Sequence, residues 1–300
     1  MTIVLNGKEL AQSIRTALRI ELDNLRTQGI QPLLSAIIVG DNPASEKYVV
    51  NKRKMCRSIG INSEVHVLQR SSTLADLEHI ITTCNNDSRV NGILVQLPLE
   101  HLSLPPTGTL KELTYRVMET IDPCKDVDGF HMYNITKYIR GQACLPPATA
   151  HGIINLLDYY KIPLKGQDVV IIGVSEIVGR PLGNVLTTCR EATVSFCHKE
   201  THDLLRYIRT ADIVVSAIGK PHYFSADAIK QDAVIIDVGI NRVPDVSSCD
   251  GYQIVGDFDQ TIWGKASYAT PVPGGVGPMT VATLMQNVIV ATKLQHGYKH

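Results

Sequence analysis

The segment DVVIIGVSEIVGRP, Asp168–Pro181, decides the fold of the C-terminal half of the chain. Its first five residues are almost all apolar and β-branched, the composition of a parallel strand buried on both faces. Gly173 then allows a tight turn, and Gly179 and Pro181 open a helix that runs to about Cys189. Strand, glycine turn and helix in this order form the unit that holds a dinucleotide pyrophosphate on helix N–H groups. The spacing departs from G-x-G-x-x-G: the third position is Ser175, and the next glycine, Gly179, comes one place later than that pattern requires.

Working outward, Ala192–Phe196 reads as a second strand, Asp203–Arg209 as a helix and Ile213–Ser216 as a third strand leading to Gly219. Ala233–Val238 reads as a fourth, leading to Gly239, Ile240 and Asn241. Strands that end in glycine or polar turns at regular spacing imply half of a doubly wound sheet, with a cofactor across its edge. The residues after the second strand are Cys197-His198-Lys199-Glu200. A cation there suits the 2′-phosphate of NADP and a carboxylate suits the ribose of NAD, so Lys199 favours NADP while Glu200 keeps NAD possible.

The N-terminal half has the same alternation. Residues 7–28 carry Leu10, Ile14, Leu18, Leu22 and Leu25 at helical period; Leu33–Val39, Glu64–Leu68 and Gly92–Gln96 read as strands, and Leu74–Cys84 as a helix. Right-handed crossovers make this a second parallel α/β layer. Its ligand side is the C-terminal strand ends, at Gly40–Ser45 and Gln96–Pro98. A helix from Ser45 to Gly60 starts on that side, with Tyr48 and Lys52 four residues apart on one face and Cys56 extending it. A phenol beside a crowded amine can serve as an acid/base device, but by spacing alone a solvated basic helix with one Tyr packing its edge is the commoner reading. In Asp122–Phe130, DPCKDVDGF, either Asp126 or Asp128 could line a cleft, or the acids could serve only a turn. Pro146-Pro147 marks a domain boundary, and Thr270–Thr280, TPVPGGVGPMT, reads as a ligand-lining loop before a last helix.

Composition limits the classes. Three hundred residues suit one large or two ordinary domains, and 44% hydrophobic with 19% charged is globular. Lys plus Arg and Asp plus Glu are 29 each, so no global field draws nucleic acid or anionic membrane. Seven scattered cysteines without C-x-x-C indicate neither a disulfide framework nor a metal site. With no signal-peptide pattern and no apolar run near ~18 residues, a soluble, reduced, cytoplasmic protein is expected.

The segments VGDNPASEKYVVNKRKMCRSIGI, GILVQLPL, KDVDGF, GVSEIVGRP and TPVPGGVGPMTVA, in this order, resemble the bifunctional methylenetetrahydrofolate dehydrogenase/methenyltetrahydrofolate cyclohydrolase family. The resemblance implies an α/β protein of two domains: a folate-binding domain, 1–146 joined by a returning helix 279–300, and a Rossmann-like domain, 147–278. It implies oxidation of 5,10-methylenetetrahydrofolate with NADP, hydrolysis of the methenyl product to 10-formyltetrahydrofolate, a homodimer through the cofactor domain, and service to purine biosynthesis. Lys52 resembles the proton-transfer lysine, Tyr48 the tyrosine stacked on the folate, and Gln96 the glutamine that tunes the lysine. Asp128, rather than Asp126, resembles the aspartate that holds the pterin. Val95, Leu97 and Pro273, Gly274, Gly275, Val276 and Gly277 would complete the folate site. Gly173, Val174, Ser175, Lys199 and Ile240 would form the cofactor edge, and no metal is implied. Three departures stand out. Val174 replaces an arginine that commonly holds the 2′-phosphate, with Lys199 where a serine is common. Ala150 replaces a junction proline, and residues 100–120 are longer than usual.

Overall fold

The computed structural model describes residues 1–40, 54, 56–99, 102, 109–248 and 251–298. The chain divides into two compact units. One comprises Met1–Gln12, Tyr138–Gln142 and Thr149–Ala282; the other comprises Ser13–Lys137, Ala143–Ala148 and Thr283–His300.

The first unit is built on a six-stranded sheet. In chain order its strands are β1 (Ile3–Val4), β5 (Asp168–Ile172), β6 (Thr193–Cys197), β7 (Ile213–Ser216), β8 (Val234–Asp237) and β11 (Tyr268–Ala269). Their spatial order is β1-β11-β8-β7-β5-β6, with every pairing parallel. β7 and β8 are buried along their whole length, and β5 along all but Asp168, which accounts for their unbroken apolar runs. Helices α5 (Ala148–Tyr159), α6 (Gly179–Arg190) and α7 (Leu204–Thr210) alternate with the strands. Val170, Ile172, Ile208, Val214, Ile235, Phe224, Phe258 and Ile262 pack into one core. A two-stranded antiparallel ribbon, β9 (Asn241–Pro244) and β10 (Tyr252–Val255), follows β8.

The second unit holds a three-stranded parallel sheet, β3-β2-β4, from β2 (Leu33–Val39), β3 (Asn62–Leu68) and β4 (Gly92–Val95). Helices α2 (Leu74–Asn86) and α3 (Leu110–Thr120) each start in a capping box, Thr73 with Asp76 and Thr109 with Glu112. Their faces Leu77–Ile81 and Leu113–Val117 pack on Ile37, Ile93 and Val95. Further helices are α1 (Gly7–Thr27), α4 (Met132–Ile139) and α8 (Val276–Gln295). The two parallel sheets with interleaved helices confirm the two-domain α/β class.

Several elements differ from the sequence reading. β1, β11 and the β9–β10 ribbon are additions, and β3 begins two residues before Glu64. The last helix covers Val276–Gln295 rather than 279–300, so Val276 and Gly277 belong to its first turn. Pro278 sits within that same turn, where a missing N–H costs nothing because its i−4 residue, Gly274, lies before the helix. Of the expected helix from Ser45 to Gly60, residues 45–53 and residue 55 lie outside the described residues, and with them Tyr48 and Lys52. The helical part that follows buries Cys56 and Ile59, exposes Lys54 and gives way to a turn at Gly60. Most of the 100–108 segment is likewise outside the described residues. Among the described residues no helix is long and apolar enough to cross a membrane.

Candidate functional site

In the second unit Val95, Gln96 and Leu97 lie at the C-terminal end of β4. Val95 is buried, while Gln96 and Leu97 are half-buried. The Gln96 backbone N–H donates to Ile37 O at 2.9 Å, and its side-chain Nε2 donates to Leu97 O at 2.6 Å. Gln96 Oε1 is buried and has no hydrogen-bond partner among the described residues. Leaving such an acceptor unmet costs roughly 1–3 kcal/mol, so this oxygen is built to receive a donor.

The acidic turn lies beside the same strand: Ile93 N donates to Lys125 O at 2.7 Å, and Ile93 bridges to Asp126. Asp126 is fully committed to the turn. Its carboxylate accepts from Gly129 N at 3.1 Å, His131 N at 2.8 Å and Asn134 Nδ2 at 3.0 Å. Burial pushes its pKa up to about 6, with the Asn134 and His131 donors opposing the rise and nearby Asp128 adding to it. Lys125 is also internal. Its Nζ donates to the carbonyls of Cys84 (3.1 Å), Asn85 (2.8 Å) and Asp87 (2.8 Å) at the C-terminus of α2, and burial lowers its pKa. Asp128 is half-buried, with its backbone carbonyl accepting from Ala148 N at 3.0 Å. From α8, Asn287 Nδ2 donates to Val127 O at 2.8 Å and Pro146 O at 2.9 Å, holding the turn from its other side. Tyr48 and Lys52 lie outside the described residues.

In the first unit Gly173–Ser175, Lys199 and Ile240 follow the C-terminal ends of β5, β6 and β8 respectively, on one edge of the sheet. Gly173 has φ +105°, and a Cβ on it would sit 2.5 Å from Ala217 O; one on Gly179 would sit 2.0 Å from Gly173 O. The turn therefore needs both glycines, despite their unusual spacing. Ser175 Oγ accepts from Val178 N at 3.2 Å and Gly179 N at 3.4 Å, at the start of α6. Val174 is half-buried. The Lys199 side chain is 87% exposed and lies 3.6 Å from Glu200, so it is available to an anion but shared with a carboxylate. Glycine-tight turns, helix N-terminal N–H groups and an exposed cation at the strand ends fit a dinucleotide phosphate.

Ile240 is 63% exposed. With Pro273, Gly274, Gly275, Val276 and Gly277 it lines a cavity of about 190 Å³ that also touches Asp237 and Ile254. The loop is fixed internally: Gly275 N donates to Pro271 O at 2.8 Å, and Gly274 has φ +118°. Sequence reasoning separated Ile240 and this loop into different ligand edges; the structure puts them on one cavity wall.

Three residues beside these sites escaped the sequence reading: Lys125, Asn287 and Gly183. Gly183 lies inside α6, where a Cβ would fall 2.3 Å from the Phe196 ring. A glycine in a helix interior marks such a close approach, and that signal was present. Among the described residues no group of three or more His, Cys, Asp or Glu could hold a metal ion.

Comparison with known proteins agrees with this layout. The profile of the tetrahydrofolate dehydrogenase/cyclohydrolase catalytic domain matches residues 5–128, and that of the same family's NAD(P)-binding domain matches residues 147–296. "Bifunctional protein FolD" of Nautilia profundicola is 42% identical over 292 residues, covering 97% of each chain. The crystal structure of bifunctional FolD methylenetetrahydrofolate dehydrogenase/cyclohydrolase from Campylobacter jejuni is similar with TM-score 0.89 and 41% identity, covering 98% of this chain and 99% of that one. The Trypanosoma brucei methylenetetrahydrofolate dehydrogenase-cyclohydrolase, complexed with NADP and an inhibitor, gives TM-score 0.89 at 33% identity and covers 99% of each chain. Both family domains are thus present in family order across nearly the whole length, and the chain belongs to the tetrahydrofolate dehydrogenase/cyclohydrolase family.

Proposed function

We propose that the chain oxidises 5,10-methylenetetrahydrofolate to the 5,10-methenyl form with NADP, then hydrolyses that product to 10-formyltetrahydrofolate. The observation that carries this reading is the buried, unmet Gln96 Oε1 at the ligand end of β4, beside the turn that presents Asp128. An ammonium or a polar substrate edge would satisfy it, and Lys52 is the donor we assign. Lys52 moves the proton as water adds to the electrophilic methenyl carbon, Gln96 orients the amine, and Tyr48 stacks on the folate. Asp128 holds the pterin ring, a role its half-buried position suits better than the fully committed Asp126. General acid/base catalysis of this kind contributes roughly 10²–10⁴-fold.

NADP, when bound, accepts the hydride. Gly173, Val174, Ser175 and the start of α6 cradle its phosphates, Lys199 meets the 2′-phosphate, and Ile240 borders the cavity shared with Pro273–Gly277. Functionally, residues 1–146 with the last helix form the folate side and 147–278 the cofactor side. The protein works in the cytoplasm as a homodimer and supplies one-carbon units for purine biosynthesis.

One spectrophotometric assay with methylenetetrahydrofolate and each cofactor tests the reading, by following methenyl build-up and decay. Lys52→Met should abolish the decay; wild-type-like hydrolysis in that variant would refute the assigned role. A second reading, an NAD-preferring member, is favoured by Val174 and by the Glu200 carboxylate next to Lys199. If Lys199→Ser leaves kcat/KM for NADP unchanged, Lys199 does not substitute for the missing arginine.

A further inference from the structure

Two buried carboxylates at the ends of β7 and β8 take no part in the chemistry above. Asp257, which is 0% exposed, follows Gly256 just after β10. Its Oδ2 accepts from Ser216 Oγ at 2.8 Å and Ile218 N at 3.0 Å. Its Oδ1 accepts from Lys220 N at 2.9 Å and Asn241 Nδ2 at 3.1 Å. Asp237 closes β8 and accepts from Gly239 N (3.0 Å), Asp257 N (3.0 Å) and Phe258 N (2.9 Å).

The packing is reciprocal. A Cβ on Gly239 would lie 2.2 Å from Asp257 Oδ1, and one on Gly256 would lie 2.0 Å from Asp237 Oδ2. Each loop is therefore shaped around the other's carboxylate. An isolated buried carboxylate costs far more than a neutral side chain, and it is kept only where several donors converge on it. An ionised carboxylate offers about four acceptor sites, and Asp257 fills all of them. Its donors come from separate segments, 216–220 and 241, and both lie at the C-terminal strand ends where an open α/β sheet receives its ligand. Ile240, the exposed residue of the cofactor edge, sits between Gly239 and Asn241, which pack against and donate to this carboxylate.

We propose that Asp257 is a positioning residue for the dinucleotide: it ties the 218–220 and 239–241 loops into the one arrangement that cofactor binding requires. This rests on the NADP reading above and adds to it a residue that touches no ligand. Asp257→Asn keeps the shape but turns one acceptor into an NH₂ group facing two donors. Titrating that variant with NADPH by fluorescence should give a Kd raised by at least about tenfold, the loss expected when buried donors go unpaired. Its hydrolysis of preformed methenyltetrahydrofolate, assayed without cofactor, should stay within about twofold of wild type, because the four donors that Asp257 holds, on Ser216, Ile218, Lys220 and Asn241, include none of the residues assigned to hydrolysis. Ser216→Ala removes a single donor and should raise the NADPH Kd about threefold with hydrolysis unchanged. An unchanged Kd in folded Asp257→Asn overturns the proposal, as does an equal fall in binding and hydrolysis, which would make the carboxylate a general prop of the fold. If Asp257→Asn does not fold, Ser216→Ala decides by the same two measurements. Wild-type protein that hydrolyses the methenyl substrate but binds no NADPH overturns the cofactor reading, and this proposal with it.

Discussion

Replacing Asn287 by leucine isolates the clamp on the Asp128 turn. The Asn287 side chain is 1% exposed and donates to two carbonyls, Val127 O at 2.8 Å and Pro146 O at 2.9 Å. Leucine fills nearly the same volume, so little cavity opens, but both carbonyls lose their amide donor. Each buried group left unmet costs about 1–3 kcal/mol, and leucine returns part of this through its apolar surface. A net loss of about 2–4 kcal/mol follows, equivalent to a fall in Tm of roughly 5–15 °C for a unit of this size. The effect should also reach the substrate. Val127 immediately precedes Asp128, and a Cβ on Gly129 would lie 2.4 Å from the Pro146 carbonyl, so the turn has no slack on either flank. KM for methylenetetrahydrofolate should rise severalfold while the Kd for NADPH stays at the wild-type value. Thermal melting and the two titrations check this together. A melting point within about 1 °C of wild type with an unchanged KM would show that the carbonyls find other donors, and the reasoning would fail.

Gly183→Val should destabilise by roughly 1–3 kcal/mol in thermal or denaturant unfolding, because its side chain must displace the Phe196 ring 2.3 Å from the Cβ position. Gln96→Leu removes the unmet acceptor together with one hydrogen bond; stability should hold within about 1 kcal/mol while methenyl hydrolysis falls roughly 10²-fold. Asp126 and Asp237 are both raised by burial from 3.8 to about 6. The native state then holds protons that the unfolded chain has released. Their contribution to stability is therefore fully present below pH ~4 and is lost as pH rises through about 6, with a slope near 2 kcal/mol per pH unit around pH 5. An Asp126→Asn/Asp237→Asn double variant should lack this component of Tm against pH between 5 and 7, and an identical slope would contradict the assignment.

The sequence was most informative where burial is most complete. β5, β7 and β8 are covered on both faces, so their apolar runs stand out and their ends fall close to where periodicity puts them. β1 and β11 have two residues each, too few to carry any period, and exist only through their partners. β9 and β10 include Arg242, Pro244 and Gln253 and alternate weakly, so neither a strand run nor a turn signal distinguishes them. At the site, composition left Asp126 and Asp128 open. The choice of Asp128 comes from the family resemblance; in the structure the two differ in burial, Asp126 lying under three donors and Asp128 being half-buried. Asp257 was illegible for a different reason. Gly256-Asp257-Phe258-Asp259 reads as an ordinary acidic turn, and the donors that define Asp257 arrive from positions up to 41 residues away.

The short strand β1 has a consequence for how the chain is made. Ile3 and Val4 pair with Tyr268 and Ala269, so this segment has its sheet partner some 265 residues later in the chain. At about 5–20 residues per second of translation, Ile3 waits roughly 13–50 s for β11 to exist. Both β1 side chains are about half exposed even in the finished sheet, so the waiting segment buries little in its final place. β11 in turn bridges β1 and β8, so this side of the sheet is complete only once Ala269 has been made. Ribosome-bound chains truncated before Tyr268 should therefore leave Ile3 and Val4 open to proteolysis, and chains extended past Ala269 should protect them.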